Sequence, residues 1–391
     1  MTPAARVQAA IEVLDLVIAA ARDNGPPADR IISDWLRPRR YAGSGDRRAV
    51  RALAYAAIRA CGEIPPDGRA ALLRLAREDA ALAALFDGAR HAPAPILPQE
   101  LVAEGGVAPA WLSAALAQSG IDGDEALALL ERAPLDVRIN TLKAQGLVLP
   151  LEGAPTPAPN GLRFAPDTPV EQWPAWSEGR IEVQDAGSQL MCEAVAARPG
   201  ETVIDLCAGA GGKTLALAAA MDNRGALIAC DTDRSRLSRL GPRAERAGAV
   251  NIETVLLDPG REAQALARWQ GAADAVLVDA PCSGTGTWRR NPEARWRLGE
   301  AQLARYVAIQ ARLLDVAADL VRPGGRLIFV TCSLLDAEGA AQADVFLVRH
   351  GAGWRADLPV LGAGRPRGAG LRLTPRQDRT DGFFVARFVR V

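Results

Sequence analysis

The feature that most constrains the fold is an alternation of short apolar runs with helical segments, which starts near Gly179 and continues to the C-terminus. Six of these runs are predicted strands: Thr202–Leu206, Ala226–Asp231, Ile252–Asp258, Ala275–Asp279, Gly325–Thr331 and Phe383–Phe388. Parallel strands need long crossover connections and are covered on both faces, so they appear as apolar runs separated by helices. The sequence therefore predicts an α/β domain with a largely parallel sheet.

Two further regions precede this sheet. Near the N-terminus apolar residues such as Ile11, Leu14 and Ile18 recur at helical spacing and predict a small all-helical domain. Proline-rich stretches at 93–98 and 150–174 then interrupt the pattern. Between them we predict two helices and one extended run, at Ala110–Ala117, Asp124–Arg132 and Asp136–Leu142. The predicted domains are a helical domain at 1–92, a connector subdomain at 93–180 and an α/β domain at 181–391.

The composition argues against several classes of protein. Lys plus Arg and Asp plus Glu each number 46, so the net charge does not point to a nucleic-acid or membrane partner. The 6 cysteines form no C-x-x-C pair and there are only 2 histidines, which disfavours a disulfide scaffold and a metal site. Residues 1–20 lack the apolar core of a signal peptide, and no uncharged apolar run reaches ~18 residues. We expect a cytoplasmic protein with no metal ion and no membrane partner.

A glycine-rich run follows the first predicted strand, where a turn leads into a helix. It reads Cys207-Ala208-Gly209-Ala210-Gly211-Gly212-Lys213. A phosphate-binding P-loop needs Gly where this chain has Ala208, and the dinucleotide fingerprint starts with Gly where it has Cys207. The spacing Asp205-x-Cys207-x-Gly209-x-Gly211 instead resembles the first motif of S-adenosylmethionine-dependent methyltransferases. We therefore predict S-adenosylmethionine as the cofactor.

Aspartates mark the ends of four successive predicted strands: Asp205, Asp231, Asp258 and Asp279. Ligands of open α/β sheets bind at the carboxyl ends of the strands. Asp231 lies about where a ribose-binding carboxylate is expected after a glycine-rich turn. These carboxylates are therefore predicted to surround one ligand site.

Two cysteines, Cys282 and Cys332, lie directly after predicted strands and are flanked by Gly, Ser and Thr. Free cysteine is most often a small buried apolar residue, which is our interpretation of Cys61, Cys192 and Cys230. A strand-end thiol beside a methyl donor suggests a different role. Carbon 5 of cytosine is a poor nucleophile until a thiolate adds to carbon 6, and a second thiol can assist the later release. Asp279 is placed to hold the edge of such a base.

Seven motifs together resemble the Sun family of RNA cytosine-5 methyltransferases, and in particular its bacterial RsmB-like branch. They are Val137-Arg138-Ile139-Asn140-Thr141-Leu142, Val183-Gln184-Asp185-Ala186-Gly187-Ser188-Gln189, the run from Asp205 to Thr214, the run from Asp279 to Gly286, Arg290-Asn291-Pro292, Thr331-Cys332-Ser333 and Asp381-Gly382-Phe383-Phe384. The glycine-rich run departs from the family, which usually has Ala-Pro where this chain has Gly209-Ala210.

The resemblance implies a Rossmann-like domain with a mostly parallel seven-stranded sheet, preceded by a shortened NusB-like RNA-binding domain and an RNA-recognition connector. It makes Cys332 the nucleophile, Cys282 the release cysteine and Asp279 a base-binding residue. It further implies that a larger set binds the cofactor, namely Cys207, Ala208, Gly209, Ala210, Gly211, Gly212, Lys213, Asp231, Asp258 and Asp279. The residues expected to contact RNA are Arg138, Asn140, Arg289, Arg290 and Asn291.

An arginine-rich stretch after Cys282 contains Trp288 and Trp296, whose rings we expect to stack with bases beside phosphate-binding arginines. A solvated charged surface is the alternative interpretation. For the whole chain we predict a monomeric enzyme that methylates carbon 5 of a cytosine in 16S ribosomal RNA. The alternatives are a transfer-RNA or DNA cytosine methyltransferase and a non-catalytic RNA-binding assembly factor.

Overall fold

The computed structural model describes residues 1–391 and separates into two compact units. The helical unit comprises Met1–Glu131 together with Thr287–Gly299. The sheet unit comprises Arg132–Gly286 together with Glu300–Val391. The predicted connector at 93–180 is therefore split between the two units after residue 131. The three-domain scheme remains a prediction.

The α-helices and β-strands are numbered in chain order. The helices are α1 Pro3–Arg22, α2 Ala28–Leu36, α3 Ser44–Ala60, α4 Gly68–Ala76, α5 Ala80–Ala83, α6 Ala110–Gln118, α7 Gly123–Leu127, α8 Pro174–Ser177, α9 Ala186–Val195, α10 Gly212–Ala220, α11 Arg234–Leu237, α12 Leu240–Ala247, α13 Glu262–Ala265, α14 Ala294–Arg297, α15 Glu300–Leu320, α16 Ala340–His350 and α17 Pro375–Asp378. The strands are β1 Leu135–Ile139, β2 Ala154–Pro155, β3 Gly161–Phe164, β4 Ile181–Val183, β5 Thr202–Asp205, β6 Ala226–Asp231, β7 Ile252–Leu256, β8 Ala273–Asp279, β9 Val321–Thr331, β10 Trp354–Ala356, β11 Arg365–Arg367, β12 Gly370–Leu373 and β13 Phe383–Arg390.

The helical unit is built around α1, whose apolar residues at helical spacing are buried, including Val7, Leu14 and Ile18. The close approach of α4 to α1 requires the glycine at the start of α4. A Cβ on Gly68 would lie 2.3 Å from the carbonyl oxygen of Ile11. The predicted N-terminal helical region is confirmed, and its core depends on this tight packing.

The sheet unit contains a four-stranded antiparallel sheet, in the order β2-β3-β1-β4, and a larger nine-stranded sheet. The larger sheet has the order β11-β12-β13-β9-β8-β5-β6-β7, and β10 pairs with β13 outside this path. Strands β5 to β9 are parallel, whereas β10 to β13 pair antiparallel. All six strands predicted from apolar runs are present, and the α/β fold with a parallel core is confirmed.

The expected count of seven strands is corrected to nine. Strands β10 and β11 have 3 residues each and β12 has 4. Two of the three residues of β10 are exposed, so that strand has no continuous apolar run. Short strands of this kind lack the signal that identified the central strands.

Both faces of the larger sheet are buried, as expected for parallel strands. Val203 and Leu277 face one apolar cluster, which α9, α10 and α12 complete. Their neighbours Ile204 and Val276 face the opposite cluster, which α15 and α16 complete. Covering both faces leaves the carboxyl ends of the strands as the open edge. None of the helices is long and apolar enough to span a membrane.

Candidate active site

Four neighbouring strands bring the predicted reactive residues to one edge of the sheet. Strands β9, β8, β5 and β6 lie side by side and parallel. Asp205, Asp231 and Asp279 are the last residues of β5, β6 and β8, and Cys332 directly follows β9. Because parallel strands end at the same edge, these side chains lie along one rim.

The glycine-rich loop between β5 and α10 has a backbone that only glycine adopts readily. Gly209 and Gly211 have φ values of +56° and +87°. The N–H of Gly209 donates to Oδ2 of Asp231 at 2.7 Å, which fixes the loop to the end of β6. A Cβ on Gly211 would lie 2.1 Å from Cδ1 of Leu240. The loop is therefore held in one conformation at the start of α10.

Lys213, in the first turn of α10, forms an ion pair with Asp279. Its Nζ lies 2.6 Å from Oδ2 of Asp279. Burial by itself would lower the pKa of Lys213, but Asp279 raises it above its ordinary value, with further contributions from the sulfurs of Cys192 and Cys332. This cation supplies the positive neighbourhood that stabilises a thiolate.

Asp205 is fully buried beneath this pair. Burial raises its pKa to about 7, and a hydrogen bond from Oγ1 of Thr214 at 2.7 Å opposes that shift. Asp205, Lys213 and Asp279 line a cavity of about 170 Å³ together with the glycine-rich loop. The cavity thus places a carboxyl group and an ion pair beside the glycine-rich loop.

The two strand-end cysteines are adjacent. The Sγ atoms of Cys282 and Cys332 are 3.4 Å apart, which is within hydrogen-bonding distance for thiols. The hydrogen bond with Cys332, burial and the nearby carboxylate of Glu338 together raise the pKa of Cys282 well above its ordinary value. Cys282 therefore holds its proton, and the two sulfurs are chemically distinct. We call Lys213, Asp279, Cys282 and Cys332 the reactive cluster.

The reactive cluster borders a larger pocket of about 390 Å³. Asp231, Leu257 and Pro259 line one part of it, and Asp279, Cys282 and Cys332 line another. A volume of this size is typical of pockets for small organic ligands. The pocket therefore has room for a ligand beside the two sulfurs.

The other cysteines are less suited to react. Burial raises the pKa of Cys61 and of Cys192 to about 11 and raises those of Cys207 and Cys230 further. The Sγ of Cys192 also donates to the carbonyl of Ser188 at 3.3 Å. These thiols stay protonated near neutral pH, which agrees with a structural role for Cys61, Cys192 and Cys230.

One predicted cofactor residue lies away from the pocket wall. Asp258 is exposed just beyond β7, and the wall is formed by its two neighbours Leu257 and Pro259. The prediction that Asp258 binds the cofactor stays untested.

Two predicted RNA contacts, Arg138 and Asn140, are buried in the sheet unit. Nε of Arg138 donates to Oε1 of Gln184 at 2.8 Å. Nδ2 of Asn140 donates to the carbonyls of Gly179 and Ala247, both at 2.8 Å. These bonds hold segments of the unit together, so the geometry supports a structural role and gives no support to RNA contact.

The arginine-rich stretch belongs to the helical unit as the segment Thr287–Gly299, which we call the arginine segment. Asn291 is exposed and Arg290 is half-buried, whereas Arg289 is buried. Trp288 and Trp296 are also buried, at 0% and 8% exposure. The expected stacking of the two indoles on bases is therefore corrected, because their rings lie in the interior.

Three charged side chains of the arginine segment bind helix ends within the helical unit. Arg295, with 0% exposure, donates to the carbonyls of Ile58, Arg59 and Cys61 at the C-terminus of α3. Arg297 donates to the carbonyls of Ala20, Gly25 and Pro26 at and beyond the C-terminus of α1. Glu293 accepts from the N–H of Ala28, the first residue of α2, at 2.9 Å. Helix ends leave such backbone groups without intrahelical partners, so these charges serve the fold.

The polar groups that connect the two cysteine loops were not predicted from the sequence. Oγ of Ser283 lies 3.1 Å from Oγ of Ser333, and both serines follow a cysteine directly. The carboxylate of Glu338 accepts from the backbone N–H of Ser283 at 2.9 Å and from its hydroxyl. The repeated Cys-Ser dipeptide could have indicated the two serines, but no sequence pattern distinguishes Glu338.

Comparisons with known proteins agree with this geometry. A family model described as 16S rRNA methyltransferase RsmB/F matches residues 192–389. A protein named ribosomal RNA small subunit methyltransferase B from Salmonella arizonae is 35% identical over 243 residues, which are 61% of this chain and 54% of the relative. A protein of the same name from Citrobacter koseri is 34% identical over 294 residues, or 72% of this chain and 66% of the relative. This chain thus spans little more than half the length of the first relative.

The fold comparison covers both units. The crystal structure of PH0851 has a TM-score of 0.76 and 25% sequence identity, and the match covers 99% of each chain. The region matched by the family model contains the glycine-rich loop, the four strand ends and both cysteines of the reactive cluster. On this evidence the chain belongs to the 16S rRNA methyltransferase RsmB/F family.

Proposed function

We propose that the chain is an enzyme that transfers a methyl group from S-adenosylmethionine to carbon 5 of a cytosine in 16S ribosomal RNA. Membership of the family and the names of the relatives support an RNA substrate. The observation that carries the proposal is the pair of sulfurs 3.4 Å apart, next to the ion pair of Lys213 and Asp279. Methylation at carbon 5 is the reaction that uses a thiol nucleophile and a methyl donor in one pocket.

The pocket residues fit S-adenosylmethionine. Each carboxylate oxygen of Asp231 accepts one backbone N–H and keeps a lone pair for a ribose hydroxyl. Leu257 and Pro259 offer apolar surface to an adenine ring. The glycine-rich loop, from Cys207 to Lys213, would hold the amino-acid end. When bound, S-adenosylmethionine supplies a methyl group attached to a positively charged sulfur.

Cys332 is the nucleophile in this proposal. Its thiolate electron pair forms a bond to carbon 6 of the cytosine, and the electrons of the carbon 5–carbon 6 double bond move to carbon 5, which can then accept the methyl group. The ammonium of Lys213 stabilises the thiolate before the attack. Asp279 lies on the same wall, and its carboxylate accepts a hydrogen bond from the exocyclic amine of the base, which orients carbon 6 toward Cys332.

Cys282 acts in the release. A general base removes the proton from carbon 5, the double bond forms again and the bond from carbon 6 to Cys332 breaks, so that the sulfur leaves with the electron pair. The protonated thiol of Cys282, at 3.4 Å, can donate a hydrogen bond to that departing thiolate. A stabilised leaving group leaves faster, so Cys282 governs release more than attack.

The substrate base must leave its helix to reach this pocket, because the chemistry at carbon 5 is blocked inside a base stack. We further propose that the enzyme works as a monomer in the cytoplasm. Contact with the RNA is assigned to the exposed Asn291 and the half-buried Arg290 of the arginine segment.

The direct test uses purified protein, methyl-labelled S-adenosylmethionine and protein-free 16S ribosomal RNA, followed by bisulfite sequencing of the product. We expect label in RNA and one cytosine that resists bisulfite conversion. Parallel reactions with transfer RNA and with single-stranded DNA test the alternative substrates. Label in either of these but not in ribosomal RNA would contradict the proposed substrate, and no label in any nucleic acid would contradict the enzyme.

A further inference from the structure

Glu338 is a buried carboxylate that the proposed mechanism does not use. It lies in the turn Asp336–Glu338 between β9 and α16, and its exposure is 0%. Burial of a carboxylate costs free energy unless hydrogen bonds or an opposite charge compensate, since charge is poorly solvated in the interior. Its contacts show where the compensation comes from.

The carboxylate of Glu338 is hydrogen-bonded to the loop that carries Cys282, both directly and through Gln310. Oε1 accepts from the backbone N–H of Ser283 at 2.9 Å, and Oε2 accepts from the hydroxyl of the same residue. Oε1 also accepts from Nε2 of Gln310 at 3.1 Å, and that amide donates to the carbonyl of Pro281 at 2.9 Å. The residues before and after Cys282 are therefore both fixed by this network.

The same network reaches the loop that carries Cys332. Oγ of Ser333 lies 3.1 Å from Oγ of Ser283 and 3.2 Å from Oγ1 of Thr285. The N–H of Gly286 donates to the carbonyl of Cys332 itself at 2.9 Å. The distance between the two sulfurs thus follows from hydrogen bonds that connect the two loops.

We propose that Glu338 is a positioning residue that decides which of the two thiols becomes the nucleophile. Its negative charge, held against the backbone of the Cys282 loop, keeps the proton on Cys282. In this proposal the opposite influence on Cys332 comes from Lys213, whose ammonium pairs with Asp279 on the pocket wall that Cys332 also lines. Of the two sulfurs, Cys282 thereby keeps its proton, and Cys332 becomes the thiolate. Only the assignment of Cys332 as nucleophile rests on the proposed function.

The electrostatics agree with this division. Glu338 is among the groups that raise the pKa of Cys282, after the hydrogen bond with Cys332, burial and the charge of Cys332. A carboxylate beside a thiol favours the neutral thiol, whereas a cation favours the thiolate. Two chemically identical side chains, 3.4 Å apart, are made different by their neighbours of opposite charge.

The test measures how fast iodoacetamide alkylates each thiol as a function of pH, with Cys282 and Cys332 peptides quantified separately by mass spectrometry. It needs neither RNA nor cofactor. In the wild-type protein Cys332 should react at lower pH than Cys282. In Glu338→Gln, which keeps the shape of the side chain but removes its charge, the Cys282 profile should move to lower pH and its rate at pH 7.5 should rise about tenfold.

Two variants serve as controls. Glu338→Asp keeps the charge and should keep the order of the two thiols. Asp336→Asn removes a carboxylate from the same turn, where Asp336 pairs with Arg367 and Arg372, and should leave both profiles unchanged.

An unchanged Cys282 profile in a folded Glu338→Gln protein would overturn the inference. If that variant does not fold, the test is which thiol of the wild-type protein is alkylated at the lower pH. Alkylation of Cys282 at a lower pH than Cys332 would overturn the inference. The expected profiles in a protein that methylates no RNA would contradict the proposed function and leave this inference intact.

Discussion

The loop that carries Cys282 and the arginine segment are close neighbours in the sequence, but the structure places their residues in very different surroundings. Cys282 lies near Cys332, Asp279 and Lys213, as a shared strand-end site requires. Arg295, which follows Cys282 in the same part of the sequence, is buried against the C-terminus of α3 and not on the surface. Both stretches contain residue types, cysteine in one and arginine in the other, that often have catalytic or binding roles.

The two kinds of residue differ in what determines where the side chain lies. A residue that follows a parallel strand is carried to the edge of the sheet by the backbone, whatever its side chain is. An arginine is placed by the tertiary partner of its guanidinium, which binds a helix-end carbonyl as readily as a phosphate. Strand-end position is therefore stronger evidence of function than an accumulation of charge.

Loss of the Cys332 thiol should have the most severe effect on activity. We expect Cys332→Ala to lower methylation to below about one-thousandth of the wild-type rate, since loss of a covalent nucleophile removes the main reaction path. The melting temperature should change little, because the side chain is small and lies at a pocket wall. Labelled-methyl transfer measures the rate. Activity near that of the wild-type protein would remove Cys332 from its role.

Cys282→Ala tests the other sulfur. Attack should proceed and release should fail, so that a covalent protein–RNA adduct accumulates in the presence of S-adenosylmethionine. The adduct is measured as a slowly migrating band on a denaturing gel, and Cys332→Ala with Cys282→Ala should abolish it. An adduct level equal to that of the wild-type protein would contradict the division of labour between the two cysteines.

Arg295→Ala tests whether the arginine segment has a structural role. It leaves the carbonyls of Ile58, Arg59 and Cys61 without their donor, and we expect a loss of about 3–5 kcal/mol in the free energy of unfolding. Urea unfolding followed by circular dichroism measures it. A stable Arg295→Ala protein with impaired RNA binding would contradict the structural role of Arg295.

Arg290→Ala is the matched control, since Arg290 is half-buried in the same segment. We expect little change in stability and a severalfold weaker affinity for RNA, with the slope of log affinity against log salt smaller by about 1. Filter binding over a salt series measures both quantities. An unchanged salt slope would show that Arg290 does not contact a phosphate.

The smallest expected effect concerns Asp205. Its pKa is raised to about 7, so in the folded state it binds a proton that the unfolded chain has released above pH 4. Its contribution to stability is present below pH 4 and is lost as the pH rises toward 7. Asp205→Asn should therefore gain stability relative to the wild-type protein between pH 5 and pH 8, as measured by melting temperature. A constant difference across this range would contradict the raised pKa.

The central sheet and its ligand edge followed from the sequence because apolar runs, glycines and strand-end aspartates are local signals. Asp231 and Lys213 lie where that reasoning placed them, at the end of β6 and at the start of α10. The short strands β10 to β12 and the role of Glu338 depend on partners distant in sequence, and single residues carry no mark of those partners. The burial of Arg138 and Asn140 was missed for the same reason.

The arginine segment also has a consequence for how the protein is made. Glu293, Arg295 and Arg297 supply the groups that bind the ends of α2, α3 and α1, but a ribosome produces them long after those helices have emerged. At ~5–20 residues per second the first helices wait on the order of ten seconds or more for these partners. The helical unit is therefore finished late in synthesis, and a fragment that stops at residue 131 would lack the side chains that complete it.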